Sequence, residues 1–299
     1  MSLVASTAFQ FNPAIQPRAF VVLGYLGREE VDDDLLYQIL VALRGALSIF
    51  TETDPNLVTS IIMCLKNVVE SLPSDSVYLL QLFWVAVALV QINSASIFVA
   101  ALELLEATFR SLDSNNFFSE SNVPEVLLAA REPISDVALQ LDRYCGVNFN
   151  THFSFAIAGI IMKGLRFSDA KMAIYSTLCT FLDIERKQYY KNLLGEKNVV
   201  IEASTLGYVT ALLPIAAKND SVKQMMKLVG ISEVETEPSE STYAGVFDKL
   251  DIPDNVTALL VMSLLATMLN ATDSESERLF IYGLLSEAAV SLPDVFALM

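Results

Sequence analysis

Turn-forming residues are scarce in this chain: 11 glycines and 10 prolines among 299 residues. A β-sandwich or barrel needs far more punctuation of that kind, so an all-β fold is excluded at the outset. Charge is also sparse, at 18% of residues against 53% apolar ones, which excludes intrinsic disorder and low-complexity tracts. Basic residues are outnumbered, and the formal net charge of −16 argues against a nucleic-acid surface or a polybasic membrane contact. Three cysteines, Cys64, Cys145 and Cys179, are too few and too scattered for a disulfide framework or a zinc site. Their apolar or mixed helical settings predict buried free thiols, and with them an intracellular, cytoplasmic protein.

Catalytic and cofactor signatures are absent as well. The sequence holds no GxSxG, HExxH, CxxC, GxxxxGK[ST] or GxGxxG pattern. The sole histidine, His152, stands at an expected helix start, where an imidazole serves the surface or a cap. The one enzymatic alternative is Asp32-Asp33-Asp34. All-α isoprenoid synthases hold Mg²⁺ with DDxxD, because diphosphate requires clustered hard cations. Here the fifth position is Leu36, and Asn219-Asp220 does not complete a second metal motif. The triplet reads instead as the acidic start of a helix. Arg186, Lys187, Lys191 and Lys197, interleaved with Asp183, Glu185 and Glu196, read as a solvated helix face. No cofactor and no metal are expected.

Long apolar runs are present but incomplete. Residues 77–92 fall short of the ~20 that a membrane span needs, contain Gln81 and Gln91, and end in a polar cluster. A second uncharged run, 255–272, lies between Asp254 and Asp273, the wrong charges for membrane anchors. Both are expected to be buried helices rather than inserted ones.

What remains is helix from end to end. Pro17 suits the first turn of a helix running to about Gly27, and the next helix starts near Asp32, with Leu36, Ile39, Leu40, Leu43, Leu47 and Phe50 at a 3.6-residue period. Asp54-Pro55 reads as a cap followed by a first-turn proline. Further helices are expected at about 76–91, 94–111, 124–131, 133–144, 151–165, 168–189, 199–217, 219–229, 254–270 and 274–291. Thr272-x-x-Glu275 is expected to be a capping box before the penultimate helix. Starts near 17, 54 and 94 are roughly 40 residues apart with a partner helix between, the spacing of HEAT or armadillo pairs. The expected fold is therefore all-α: a HEAT/armadillo-like α-solenoid of stacked antiparallel helix pairs, forming one unit over 1–299. The segment 231–251, rich in Glu and hydroxyl residues, is expected to be an exposed acidic loop that Tyr243 and Phe247 dock at one point.

Six stretches carry a family resemblance, in colinear order. They are FNPAIQPRAFVVLG (11–24), FWVAVALVQ (83–91), LELLEATFRSLDS (102–114), PEVLLAAREP (124–133), GVNFNTHFSFAIAGIIMKGLRF (146–167) and SERLFIYGLLSEAAVSLPDVF (276–296). Together they resemble neurofibromin and its fungal Ira relatives, the large Ras GTPase-activating proteins. The resemblance places the chain in the helical region C-terminal to the GAP domain and the Sec14–PH module. It implies a non-catalytic scaffold serving architecture, self-association or partner docking. Its implied partners are other segments of the parent protein or a second copy. Ras would be engaged only through the GAP domain outside this chain. The departure is 231–251, short and acidic where the animal proteins carry a longer basic insertion, so nuclear import is not carried over. No Arg stands in a finger motif: Arg28 follows Gly27, Arg110 lies within a helix and Arg166 ends one.

Structural or partner-contact candidates are Pro17, Arg18, Phe83, Trp84, Asn148, Phe149, Asn150, Phe153, Lys163 and Arg166. Phe83 and Trp84 belong to the most apolar helix and are expected in the core. Phe149, Phe153 and Phe155 are expected to anchor a helix entry capped by Asn148 and Asn150. Lys163 and Arg166 would meet the negative end of its dipole. An unrelated α-solenoid adaptor is the other non-catalytic reading.

Overall fold

A computed structural model describes residues 2–10, 12–29, 31–51, 53–146, 148–194, 201–212, 215, 219–229, 231 and 243–297. The fold is all-α, built from α1 (Ser2–Phe9), α2 (Gln16–Leu26), α3 (Asp33–Ser48), α4 (Asn56–Val69), α5 (Leu79–Leu89), α6 (Ala95–Ser114), α7 (Val123–Ala129) and α8 (Ser135–Cys145). These are followed by α9 (Phe153–Met162), α10 (Lys171–Leu194), α11 (Ala203–Ala211), α12 (Asp220–Leu228), α13 (Asn255–Ala271), α14 (Glu275–Ser291) and α15 (Pro293–Phe296). Two compact units result, Met1–Gly146 and Val147–Met299.

In the first unit the expected pairing is present. Alternate helices α2, α4 and α6 pack side by side, while α3 lies on α4 and α5 on α6. That is solenoid packing, with each pair burying its apolar stripe on the next. Asp32 caps α3 by accepting the Leu35 N–H at 2.8 Å, and Leu36, Ile39 and Leu43 face inward. Asp33 accepts a hydrogen bond from the Ser76 hydroxyl, so the acidic triplet opens a helix and ties the chain ahead of α5. Gly24 sets the α2–α4 distance: a Cβ there would lie 2.8 Å from the Cys64 Cα. The helix α1, which the sequence reading missed, packs on α2, with Phe9 edge-on to Phe20 at 5.8 Å.

In the second unit, α9 packs against α10, α11 and α13, and α13 carries α11 on one side and α14 on another. The uncharged run 255–272 is thus interior helix. No helix among the described residues is long and apolar enough to cross a membrane.

Several local expectations need correction. Helix α4 begins after Pro55, which is its N-cap. Asp54 contributes only a 3.3 Å acceptor to the Asn56 N–H. The cap of α14 is Ser274, accepting from the Glu277 N–H, whereas Thr272 ends α13 and its hydroxyl donates to Glu277. The reciprocal capping box lies elsewhere, between Asn122 and Glu125 at the start of α7. Ile201–Glu202 pairs in parallel with Leu250–Asp251, a two-residue ladder beside the helices of the described residues.

The acidic segment also divides. Residues 232–242 lie outside the described residues. The remainder packs rather than floats: Ile231, Tyr243, Val246, Phe247 and Leu250 are buried. Tyr243 stacks edge-on to Phe280 at 5.4 Å, over Gly283, where a Cβ would lie 2.2 Å from the ring. The Gly245 N–H donates to Glu287 at 2.9 Å. Docking through Tyr243 and Phe247 is thus observed, and the apolar residues between the charges explain why 243–251 is held against α14.

Candidate functional site

The residues singled out from sequence divide between the two units. Phe83 and Trp84 are core, as expected. Phe83 lies edge-on to Phe109 at 5.3 Å. The Trp84 Nε1–H donates to the Leu127 carbonyl at 3.0 Å, and the Arg131 guanidinium sits 4.4 Å from the centre of its ring. Arg131 also donates to the Ala138 carbonyl at 2.7 Å and pairs with Asp142. This buried assembly fastens α5, α7 and α8 to one another. Every group in it faces inward, so its role is architectural.

In the second unit Phe149 and Phe153 are buried with ring centres 6.3 Å apart, anchoring the entry to α9 as expected. The asparagine caps are not formed. Asn148 accepts the Asn150 N–H at 2.9 Å in a tight turn, and both residues are exposed. The N-cap of α9 is His152, which makes no side-chain cap; its ring lies edge-on to Phe155. Lys163 and Arg166 do fall at the far end of α9, exposed, with Arg166 over the Phe167 ring at 4.7 Å.

Glu185 is a further correction. Its carboxylate is only half-buried, yet it accepts from the Ser154 hydroxyl at 3.0 Å and from the hydroxyl of fully buried Tyr208. It therefore joins α9, α10 and α11 rather than lying on a solvated face. Nothing in the sequence marks this, because the three residues are far apart in the chain. Cys64 and Cys145 are buried and in no disulfide, whereas Cys179 is only half-buried. No cluster of three or more potential metal ligands occurs among the described residues.

Pro17 and Arg18 border an open concavity of the first unit. Two cavities of about 530 and 490 Å³ share Gln16, Ala46, Ile49 and Leu57 as walls and so form one groove. One end is bounded by Pro17, Arg18, Thr51 and Asp54, where the first turns of α2 and α4 meet the last turn of α3. The other end is apolar, walled by Phe9, Tyr37, Val41 and Ile49. Tyr37, Val41 and Ile49 are more than half exposed, a concentration that a helix surface rarely shows without a use.

The polar groups of the groove are incompletely satisfied. Gln16 is only 8% exposed; its Nε2 donates to the Ala8 carbonyl at 2.9 Å, while its buried Oε1 accepts nothing among the described residues. The N-caps of α2 and α4, Ile15 and Pro55, supply no side-chain cap, and neither first turn carries an acidic residue. Arg18 is exposed and has no ion pair among the described residues. Gly45, on the wall, would place a Cβ with no heavy atom within 4 Å. One end of the groove thus brings together the Arg18 guanidinium and the Asp54 carboxylate, and the other end is apolar. The sequence reading found Pro17 and Arg18 but not Gln16, whose tie to Ala8 forms only when α1 docks.

No protein-family model matches the chain.

Proposed function

We propose that this chain is a non-catalytic helical scaffold segment of a Ras GTPase-activating protein of the neurofibromin/Ira type. One observation carries the reading: six colinear stretches resembling that family extend over nearly the whole sequence. The fold supports it. Residues of those stretches build both cores, among them Phe20, Phe83, Trp84, Leu104, Phe153 and Phe280. The stacked pairs of the first unit create surface and spacing rather than a reaction centre. The three arginines open to a finger role have local partners instead. Arg28 donates to Asn67, Arg110 pairs with Glu106 one turn away, and Arg166 covers Phe167.

Single-turnover GTP hydrolysis by Ras, with this chain in excess and a GAP domain alongside, tests the reading. The expected result is no stimulation by the chain, together with its co-purification with the GAP-containing part of the parent. An arginine finger accelerates hydrolysis by roughly 10³- to 10⁵-fold. Even a tenfold rise that vanished on replacing Arg28, Arg110 or Arg166 with Ala would overturn the scaffold assignment.

A further inference from the structure

We infer that the exposed face of α3 docks an amphipathic α-helix of a partner protein, laid antiparallel to α3. The inference stands on this face alone and does not depend on the family reading. Tyr37, Val41, Gly45 and Ile49 follow one another at four-residue intervals, a single line about 18 Å long down α3 to its C-cap. Tyr37, Val41 and Ile49 are each more than half exposed, and the adjoining cavity of about 490 Å³ continues the apolar surface to Phe9 and Leu57. A row at four-residue spacing is what another helix receives, because its own i±4 rows interdigitate with it.

Gly45 is the observation that calls for an occupant. A glycine weakens a helix interior relative to alanine. At Gly24, Gly27, Gly207 and Gly283 the fold supplies the reason, since a Cβ there would lie 2.8 Å or less from a packed neighbour. At Gly45 no heavy atom lies within 4 Å of the absent Cβ, so nothing among the described residues requires the glycine. A gap in the middle of an exposed apolar line lets a second helix approach closely and seat a side chain between Val41 and Ile49.

Charge sets the direction. Asp32 caps α3 and Asp33 accepts from Ser76, which leaves exposed Asp34, three residues before Tyr37, without an ion pair among the described residues. Exposed Arg44, next to Gly45, has none either. Arg18 and Asp54, beyond the last turn of α3, offset one another. An antiparallel helix brings its last turn, where cations are favoured, to Asp34 and its first turn, where anions are favoured, towards Arg44. A parallel helix would reverse both.

The test is selection from two phage-displayed libraries of 16-residue peptides on the immobilised full chain. One varies apolar residues at the helical spacing i, i+4, i+8 and i+11; the other places the same residues at alternate positions. Enrichment is expected from the first alone, with Lys or Arg in the last turn, and synthetic copies of the selected peptides are then titrated by fluorescence anisotropy. Gly45→Leu is expected to weaken them at least tenfold while keeping or raising the thermal midpoint, because the new side chain meets open space and favours helix. Asp34→Lys is expected to weaken them at least threefold, and exchanging the peptide's terminal Lys for Glu is expected to restore binding to D34K. No enrichment, equal enrichment from the alternating library, binding retained by G45L, or failure of the charge exchange to rescue D34K would overturn the inference. So would a dimer that dissociates in G45L, which would assign the face to a second copy. None of these results bears on Ras hydrolysis, so the two proposals fail separately.

Discussion

Trp84 is the only tryptophan in the chain and lies at the point where α5 meets α7 and α8, so its removal tests the packing of the first unit directly. It is 5% exposed. Truncating a buried large aromatic to Ala costs about 3–5 kcal/mol through lost transfer energy and the cavity left behind. Two further losses follow from its partners. The Leu127 carbonyl is left in the interior without its donor, a loss of about 1–3 kcal/mol for a buried polar group. The Arg131 guanidinium loses an aromatic face worth about 2 kcal/mol where it is desolvated. These contributions overlap in a single truncation, so the expected cost of Trp84→Ala lies at the top of the cavity range, about 5 kcal/mol. Trp84→Phe keeps an aromatic face but removes the N–H donor, and about 2 kcal/mol is expected. Urea denaturation followed by circular dichroism measures both, since the variants lack the fluorophore. In the parent protein the indole emission should be blue-shifted and weakly quenched by acrylamide. A loss below about 1 kcal/mol for Trp84→Ala would place the ring on the surface. Equal losses for the two variants would show that the ring's packing contributes nothing beyond its hydrogen bond.

Asp142→Ala should destabilise the same unit by about 3–5 kcal/mol, because it strands the buried Arg131 charge; Arg131→Met with Asp142→Leu should cost less than that single change, as a denaturation cycle would show. Gly24→Ala should cost about 1–3 kcal/mol by forcing α2 away from α4, since the nearest obstacle is the Cys64 backbone rather than a mobile side chain; thermal unfolding checks it. Burial pushes the Cys64 thiol up from 9.0 to about 12, so at pH 8 only about one native molecule in ten thousand carries the thiolate. Thiol titration of the native protein should therefore modify half-buried Cys179 first and Cys64 only on unfolding. The unfolded thiol ionises at lower pH than the folded one, so this group's stabilising contribution is present below about pH 9 and falls as pH rises from 9 towards 12.

How much of this was legible in the sequence depended on distance along the chain. Helix α3 could be read because its cap, its acidic first turn and its 3.6-residue stripe are all local. The roughly 40-residue recurrence of helix starts was legible for the same reason, and it anticipated the α2–α4–α6 layer. Errors arose where neighbouring polar residues competed for one role. Thr272, Ser274, Glu275 and Glu277 contain two overlapping cap patterns, and the one chosen left Thr272 as a cap when it closes the preceding helix. The Asn148 side chain accepts the Asn150 N–H within a turn rather than capping a helix end. Helix α1 escaped notice because its eight residues carry no cap signal or charge, and only Phe9 and Ala8 engage the core. Glu185 was misread because its hydroxyl donors, Ser154 and Tyr208, arrive from two other helices.

Three polar groupings among the described residues differ in how far their groups find partners within the fold. Arg131 and Asp142 meet each other and the Ala138 carbonyl in the interior, and Glu185 is held by two hydroxyls. Both assemblies join a charged group to partners from other helices, so they fix the relative positions of helices. Gln16 and Arg18 are the opposite case. One is a buried acceptor with no donor and the other an exposed cation with no anion, among the described residues, and both border the same open groove. An unmet acceptor is destabilising in the isolated chain by about 1–3 kcal/mol. Replacing Gln16 with an apolar residue would remove that penalty but also the tie to Ala8.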